Sequence, residues 1–280
     1  MWLSLQLPPC TSNLTAAITY STNMPQEKVD AALEGAKAAD MCNIVALRGD
    51  PPAGEEAWSA TEGGFTCALD LIKYIREHHG DYFNLSCAGY PEGHPNAITP
   101  VTADGPALSE SEKGRLVEVN GEQFVCRDAD YEKEMAYLKA KVDAGADMII
   151  TQMFFDAEVF LTFVKDCRDM GIDVPIVPGI MVIQNYGGFN RMTAFCKSRV
   201  PQVVRDAMEV VKDDEAAVKA TGIQLGTDMC KKLVEAGVCA LHFYCLNLEK
   251  STYGIMAQLG LMQDTESTEA PAAPAAAASS

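Results

Sequence analysis

Short continuous apolar runs alternate along this sequence with stretches whose apolar residues return every three or four positions. The first pattern fits strands buried on both faces of a parallel sheet, the second amphipathic helices. Residues 16–21, 43–48, 82–88, 147–153, 174–180 and 238–246 read as strands. A helix starts at Thr22-Asn23-Met24-Pro25, with a capping side chain and a first-turn proline, and carries Val29, Ala32, Leu33 and Ala36 on one face. The next covers 66–79 on a stripe of Leu69, Ile72 and Ile75. Another begins near Asp130 with Tyr131, Met135, Leu138 and Val142, and 157–170 turns Phe160, Phe163, Val164 and Cys167 inward. Helices at 188–198, 201–211 and 213–236 precede the last strand, and 249–260 follows it.

The same junction recurs four times: a helix ends in a small-residue turn and a strand begins at once. The turns are Ala38-Ala39-Asp40, Ala144-Gly145-Ala146, Met170-Gly171-Ile172 and Ala236-Gly237-Val238. Strand–helix alternation with short turns implies a parallel sheet with right-handed crossovers. No GxGxxG follows the first strand and no GxxxxGK[ST] occurs, which favours an α/β fold of the (β/α)8 TIM barrel type over a Rossmann or P-loop fold. Six strands can be counted where a closed barrel needs eight. Residues 96–129 are polar and mixed and read as an insertion, with a hairpin at Asn120-Gly121. Residues 263–280 turn acidic and then Ala/Pro/Ser-rich, a composition that cannot bury a core and reads as a disordered tail.

Composition narrows the partners. Of 280 residues, 48% are hydrophobic and 22% charged, as in an ordinary globular chain. The net charge of −17 argues against nucleic acid or an anionic membrane, but leaves room for an anion in a locally basic pocket. No apolar run approaches the roughly 20 residues of a membrane span. The N-terminus lacks a basic region and is interrupted by Pro8-Pro9, unlike a signal peptide. Ten cysteines without a CxxC or zinc spacing read as reduced thiols of a cytoplasmic protein. Cys67, Cys87, Cys167, Cys196 and Cys230 have apolar or helical neighbours and read as core.

In such a fold, ligands bind at the carboxyl ends of the strands. There this sequence places Arg48-Gly49-Asp50 before Pro51-Pro52, Tyr90 with His94, Thr151-Gln152, Pro178-Gly179 and the run from His242 to Asn247. The set is rich in hydrogen-bonding and aromatic groups and lacks a metal cluster or a nucleophile–base pair. It suits a planar, polar heterocycle. Plainer readings stand beside this one. Arg48 and Asp50 could pair with each other, His94 could cap a turn, and His242, Tyr244 and Phe154-Phe155 could be packing. Gln152, after an apolar strand, points to function, since a buried amide needs several partners.

ALRGDPP at 46–52, AGYPEGHP at 88–95, DAGADMIITQMFFD at 143–156, PIVPGIMVIQNY at 175–186 and LHFYCLN at 241–247 together resemble methylenetetrahydrofolate reductase, over about 22–261. The resemblance implies a flavoprotein barrel at 22–262. Such a protein moves a hydride from NADH or NADPH to FAD and then to 5,10-methylenetetrahydrofolate, giving 5-methyltetrahydrofolate for one-carbon and methionine metabolism. It implies that Arg48, Gly49 and Asp50 hold FAD, with Asp50 also tuning the flavin near the pterin. Tyr90, His94 and Ala97 match flavin contacts, Ala68 a backbone contact, and Lys141 a basic residue facing the FAD phosphates. Gln152 matches the glutamine that hydrogen-bonds folate, and Tyr244 to Asn247 the block lining the substrate side.

The sequence also departs from the family. Members open with a strand ending in a glutamate, the general acid that protonates the folate nitrogen, followed by paired phenylalanines and prolines. A second strand carries a threonine that contacts the flavin. Neither block is present here, and Ile18 stands where a histidine is expected. The comparison implies a barrel without its first two βα units, with 1–21 an atypical segment. A rival reading follows: a flavin-binding or partner-binding chain without folate reduction. Open parallel edges expose unpaired backbone. The isolated chain is therefore expected to be poorly stable or to close its edges as a homo-oligomer, and a monodisperse monomer that melts cooperatively in light scattering and calorimetry would count against this.

Overall fold

The computed structural model describes residues 16–20 as backbone, and residues 24–49, 64–246 and 248–262 with their side chains. The predicted tail, Asp50 and Asn247, and most of the atypical N-terminal segment lie outside the described residues. In chain order the first elements are β1 (Ala16–Tyr20), α1 (Gln26–Ala38), β2 (Asn43–Leu47), α2 (Ala68–His79) and β3 (Asn84–Gly89). Then come β4 (Ile98–Pro100), α3 (Glu110–Gly114), β5 (Val117–Val119), β6 (Glu122–Cys126) and α4 (Asp128–Asp143). The remainder is β7 (Met148–Met153), α5 (Ala157–Asp169), β8 (Ile176–Met181), α6 (Tyr186–Phe195), α7 (Gln202–Val211), α8 (Glu215–Glu235), β9 (His242–Tyr244) and α9 (Glu249–Gln258).

Six strands form one sheet in the order β1-β2-β3-β7-β8-β9, every pair parallel. Sequential parallel neighbours joined through helices are the connectivity of a (β/α) barrel, and the sheet curls as part of one. A second sheet, antiparallel in the order β4-β6-β5, rises from residues 98–126. Its hairpin turns at Asn120 and Gly121, with φ of 52° and 82°, the pair of left-handed residues that a type I′ turn requires. Two ion pairs fasten α3, which lies between β4 and β5, to the start of α4: Arg127 to Glu112 at 3.0 Å and Arg115 to Asp128 at 2.5 Å.

The four predicted turns share one chemistry. Asp40, Gly145, Gly171 and Gly237 take φ of 53°, 112°, 74° and 94°. In each, the next amide reaches back five residues: Met41 to Ala36, Ala146 to Lys141, Ile172 to Cys167 and Val238 to Leu233, all at 2.9–3.1 Å. This bond uses a carbonyl that the helix end would leave orphaned. It also redirects the chain toward the sheet, so the next strand can follow directly.

The helical stripes differ in detail from the expectation. On α2, Leu71 joins Ile72 and Ile75 in the core, while Leu69 is half-buried. Ala32 on α1 is exposed, and Val142 and Val164 are half-covered. The strand expected over 238–246 is confined to His242–Tyr244, because β9 has a ladder partner on one side alone among the described residues, and Cys239 and Ala240 stay exposed. The core is otherwise as the pattern implied. Val29, Leu33, Ile72, Ile75, Leu85, Met135, Leu138, Ile149 and Phe163 pack into one cluster between α1, α2, α4, α5 and the sheet. Cys87, Cys167, Cys196 and Cys230 are buried free thiols, and burial pushes Cys167 up to about 12 and Cys230 up to about 11. They are packing groups and not nucleophiles.

Candidate active site at the carboxyl ends of the strands

The βα junctions of β2 and β3 and the face of α4 that carries Glu134, Tyr137 and Lys141 border an open cavity of about 350 Å³. Arg48, Ala68, Tyr90, His94 and Lys141 all line it. Arg48 follows β2 directly. Ala68 is the first residue of α2, so the start of that helix borders the cavity; the Leu69 amide there donates to the Tyr137 hydroxyl, and Asp70 lies in the same first turn. Tyr90 and His94 come from the loop after β3, with ring centres 4.7 Å apart. The Asn96 amide donates to His94 Nδ1 at 3.1 Å, which makes Nδ1 the acceptor and leaves the proton of a neutral ring on Nε2.

Lys141 is the distinctive member. It is only 4% exposed, its Nζ donates to the Ala88 carbonyl at 2.6 Å, and it lies 5.0 Å from the centre of the Tyr137 ring. Among the described residues it makes no ion pair. Burial holds its pKa below the usual lysine range, against a partial pull upward from Cys87, Glu134 and Cys67. Arg48 and the desolvated Lys141 give this cavity two cations against one lining carboxylate, Glu134, in a strongly acidic protein, a balance that suits a phosphate. Tyr90 and His94 add a flat aromatic wall. These residues fit an aromatic dinucleotide, of which a cavity this size would hold a part.

The pattern missed Thr66, Asn96, Glu134 and Tyr137, which also line the cavity, and Cys67, read as core, is instead half-buried and lines it too, because it stands at the exposed start of α2. One signal was available: Glu134, Tyr137 and Lys141 recur at helical spacing, a polar and aromatic stripe beside the apolar one on α4. Gly49, with φ 84°, adjoins Arg48. Ala97 packs half-buried against the core and does not line the cavity.

Gln152 and Tyr244 belong to a separate stretch of the strand ends. The β7–β8 ladder slips between Ile150 and Met153, and this bulge frees Thr151 and Gln152 from regular pairing with β8, while Thr151 keeps its register with Gly89 of β3. Thr151 is fully buried and replaces the lost ladder bonds. Its Oγ1 accepts from the Gly179 amide at 2.9 Å, and its carbonyl accepts from the Tyr244 hydroxyl at 2.9 Å. Tyr244 thus laces β9 to β7 across β8. Gln152, half-buried, folds its Oε1 onto the Met153 amide at 2.9 Å, which leaves its Nε2 as a donor. His242 lies with its ring centre 4.7 Å from that of Tyr244, and burial lowers its pKa, keeping it neutral. Beyond β8 and β9 a larger cavity, about 660 Å³, opens between the starts of α6 and α9 and is lined by Lys212, Lys219 and Lys250 with Glu215 and Glu249.

A curled wall of parallel strands joined through helices, with a cavity at the carboxyl ends of two of them, is the layout of a (β/α) barrel with a ligand-sized cleft above its strand ends. Residues 10–260 match the family described as methylenetetrahydrofolate reductase, and the chain belongs to that family. It is 49% identical over 245 residues to methylenetetrahydrofolate reductase (NADH) 1 of Zea mays, covering 88% of this chain and 38% of the relative. Methylenetetrahydrofolate reductase 2 of Saccharomyces cerevisiae is 40% identical over 242 residues, 86% of this chain and 36% of the relative. The probable methylenetetrahydrofolate reductase (NADPH) of Caenorhabditis elegans is 39% identical over 230 residues, 82% and 30% of the two lengths. The chain therefore spans less than two-fifths of these relatives. Among solved structures, an uncharacterised Clostridium thermocellum protein that binds two copies of 5-methyl-5,6,7,8-tetrahydrofolic acid superposes with a TM-score of 0.43 at 12% identity, over 87% of this chain and 91% of that one.

Proposed function

We propose that this chain binds FAD in the cavity between Arg48 and Lys141 and reduces 5,10-methylenetetrahydrofolate to 5-methyltetrahydrofolate at the expense of NADH or NADPH. The observation that carries the reading is Lys141, a buried ammonium with no ion-pair partner among the described residues, lining a cavity with an aromatic wall. FAD, when bound, supplies the hydride relay between nicotinamide and folate. The residues supply position and charge. Lys141 and Arg48 neutralise phosphate, and Tyr90 and His94 offer flat surface to a heterocycle. Gln152, aimed by the bulge, offers Nε2 to a pterin, a planar group rich in acceptors. The lysines of the larger cavity offer cations to the carboxylates of a folate's glutamyl end.

The test is anaerobic. The flavin-loaded chain is mixed with NADH or NADPH, the flavin band is followed, and 5,10-methylenetetrahydrofolate is then added. Bleaching followed by recovery of the band, with 5-methyltetrahydrofolate as product, is the expected result. The greater identity to relatives named for NADH supports faster bleaching with NADH. Bleaching without recovery on folate, but with recovery on a quinone, would favour the rival reading of a chain that keeps only the nicotinamide half-reaction.

A further inference from the structure

The loop that presents Tyr90 and His94 has an underside. Pro91, Glu92 and Gly93 are buried, while Tyr90, His94 and Asn96 line the cavity. That underside rests on the short segment between α6 and α7. Lys197, held at φ 48°, donates through Nζ to the Pro95 carbonyl at 2.9 Å and to the Ile98 carbonyl at 2.6 Å, with Nζ 5.6 Å from the centre of the Phe124 ring. The Arg199 amide donates to Glu92 Oε1 at 3.1 Å. The Arg199 guanidinium pairs with Asp156, the N-cap of α5 just after β7 and Gln152. One segment thus touches the loop after β3 and the loop after β7.

We infer that Lys197–Arg199 is a clasp whose bonds to Glu92, Pro95 and Ile98 hold the Tyr90–His94 loop in its cavity-lining position, so that these residues are positioning groups for the cofactor. The inference rests on the proposed flavin site for its last step. Three carbonyl or carboxyl acceptors between Glu92 and Ile98 meet donors from two residues of one segment, Lys197 and Arg199, an economical way to fix the loop between β3 and β4. Glu92 is 5% exposed, and burial pushes its carboxyl up to about 8. The charged groups facing it are Arg199, already paired with Asp156, and Asp156 itself, whose carboxylate opposes ionisation. Closed, the clasp keeps Glu92 protonated. Opened, the carboxyl returns to its ordinary value near 4.5. Between those values the open form binds fewer protons, so the opening constant should rise about tenfold per pH unit up to about pH 8 and level off above it.

Hydrogen exchange on the flavin-free chain reads this directly. In Lys197→Met, the amides of Gly93, Ala97 and Arg199 should exchange at least tenfold faster while the global unfolding midpoint holds, and the Kd for added FAD should rise at least tenfold. In the parent chain the opening constant at these amides should climb from pH 6 to 8, and in Glu92→Gln, which keeps a neutral carbonyl acceptor, it should stay flat. Unchanged exchange in Lys197→Met would overturn the clasp whatever the flavin does. Faster exchange with unchanged FAD affinity would overturn its positioning role. A parent chain that binds no FAD would instead refute the proposed flavin site, leaving exchange to decide the clasp alone.

Discussion

Gly179→Ala is expected to destabilise this chain severely, by more than about 3 kcal/mol. An alanine Cβ there would sit 2.1 Å from the Thr151 carbonyl oxygen and 2.6 Å from Tyr244 Cε2. Neither neighbour has room to move. Thr151 O accepts from Tyr244 and Thr151 Oγ1 accepts from Gly179, so all three residues are bound to one another across β7, β8 and β9. Overpacking against side chains costs about 1–3 kcal/mol, and a clash with backbone at the centre of a sheet costs more. A loss above about 3 kcal/mol removes a large part of the 5–15 kcal/mol typical of a domain. Gly187→Ala is the control, since its nearest neighbour, Asn185 Oδ1, lies 3.9 Å away and the residue is in α6. It should be neutral or stabilising by up to about 1 kcal/mol. Urea unfolding monitored by circular dichroism compares the two, and a Gly179→Ala chain with the parent's midpoint would show that the bulge is not held as described.

Lys141→Met is expected to separate binding from stability. The ammonium is buried against one carbonyl, so the folded chain bears its desolvation with a single bond in return. Methionine fills similar space without that cost but strands the Ala88 carbonyl, and the two effects oppose each other to within about 1 kcal/mol. Flavin binding has no such compensation. A charge-assisted bond to phosphate is worth about 2–3 kcal/mol, so Kd for FAD should rise roughly 30- to 140-fold. The pH dependence follows from the lowered lysine pKa. Phosphate binds the protonated form, so parent affinity should fall as pH rises through that lowered value, and the variant should lack this component. Fluorescence titration with FAD at several pH values measures both, and equal Kd for parent and variant would remove Lys141 from the site.

The parts of this structure legible in the sequence are those set by local chemistry. Apolar runs gave the six parallel strands, and the small-residue turns gave the helix ends, because Asp40, Gly145, Gly171 and Gly237 each have to reach a left-handed conformation. The position of a residue just after a strand brought Arg48, Tyr90 and His94 forward, while Ala68 and Lys141 came from the family resemblance, and all five line one cavity. What escaped depends on partners distant in sequence. Leu71 rather than Leu69 enters the core because of how α2 is turned against its neighbours. The β7 bulge that aims Gln152 exists because Gly179 and Tyr244 accept its consequences from two other strands. Glu92 reads as an ordinary loop carboxylate, and its burial depends on Arg199, over a hundred positions along the chain. Asp50, central to the sequence reading, lies outside the described residues.

The most direct test of the account is the visible spectrum of the purified full chain, incubated with excess FAD and then desalted. The account predicts retained flavin near one equivalent per chain, with a band shifted from that of free FAD and a large loss in Lys141→Met. Retention of no flavin by a folded parent chain would contradict it.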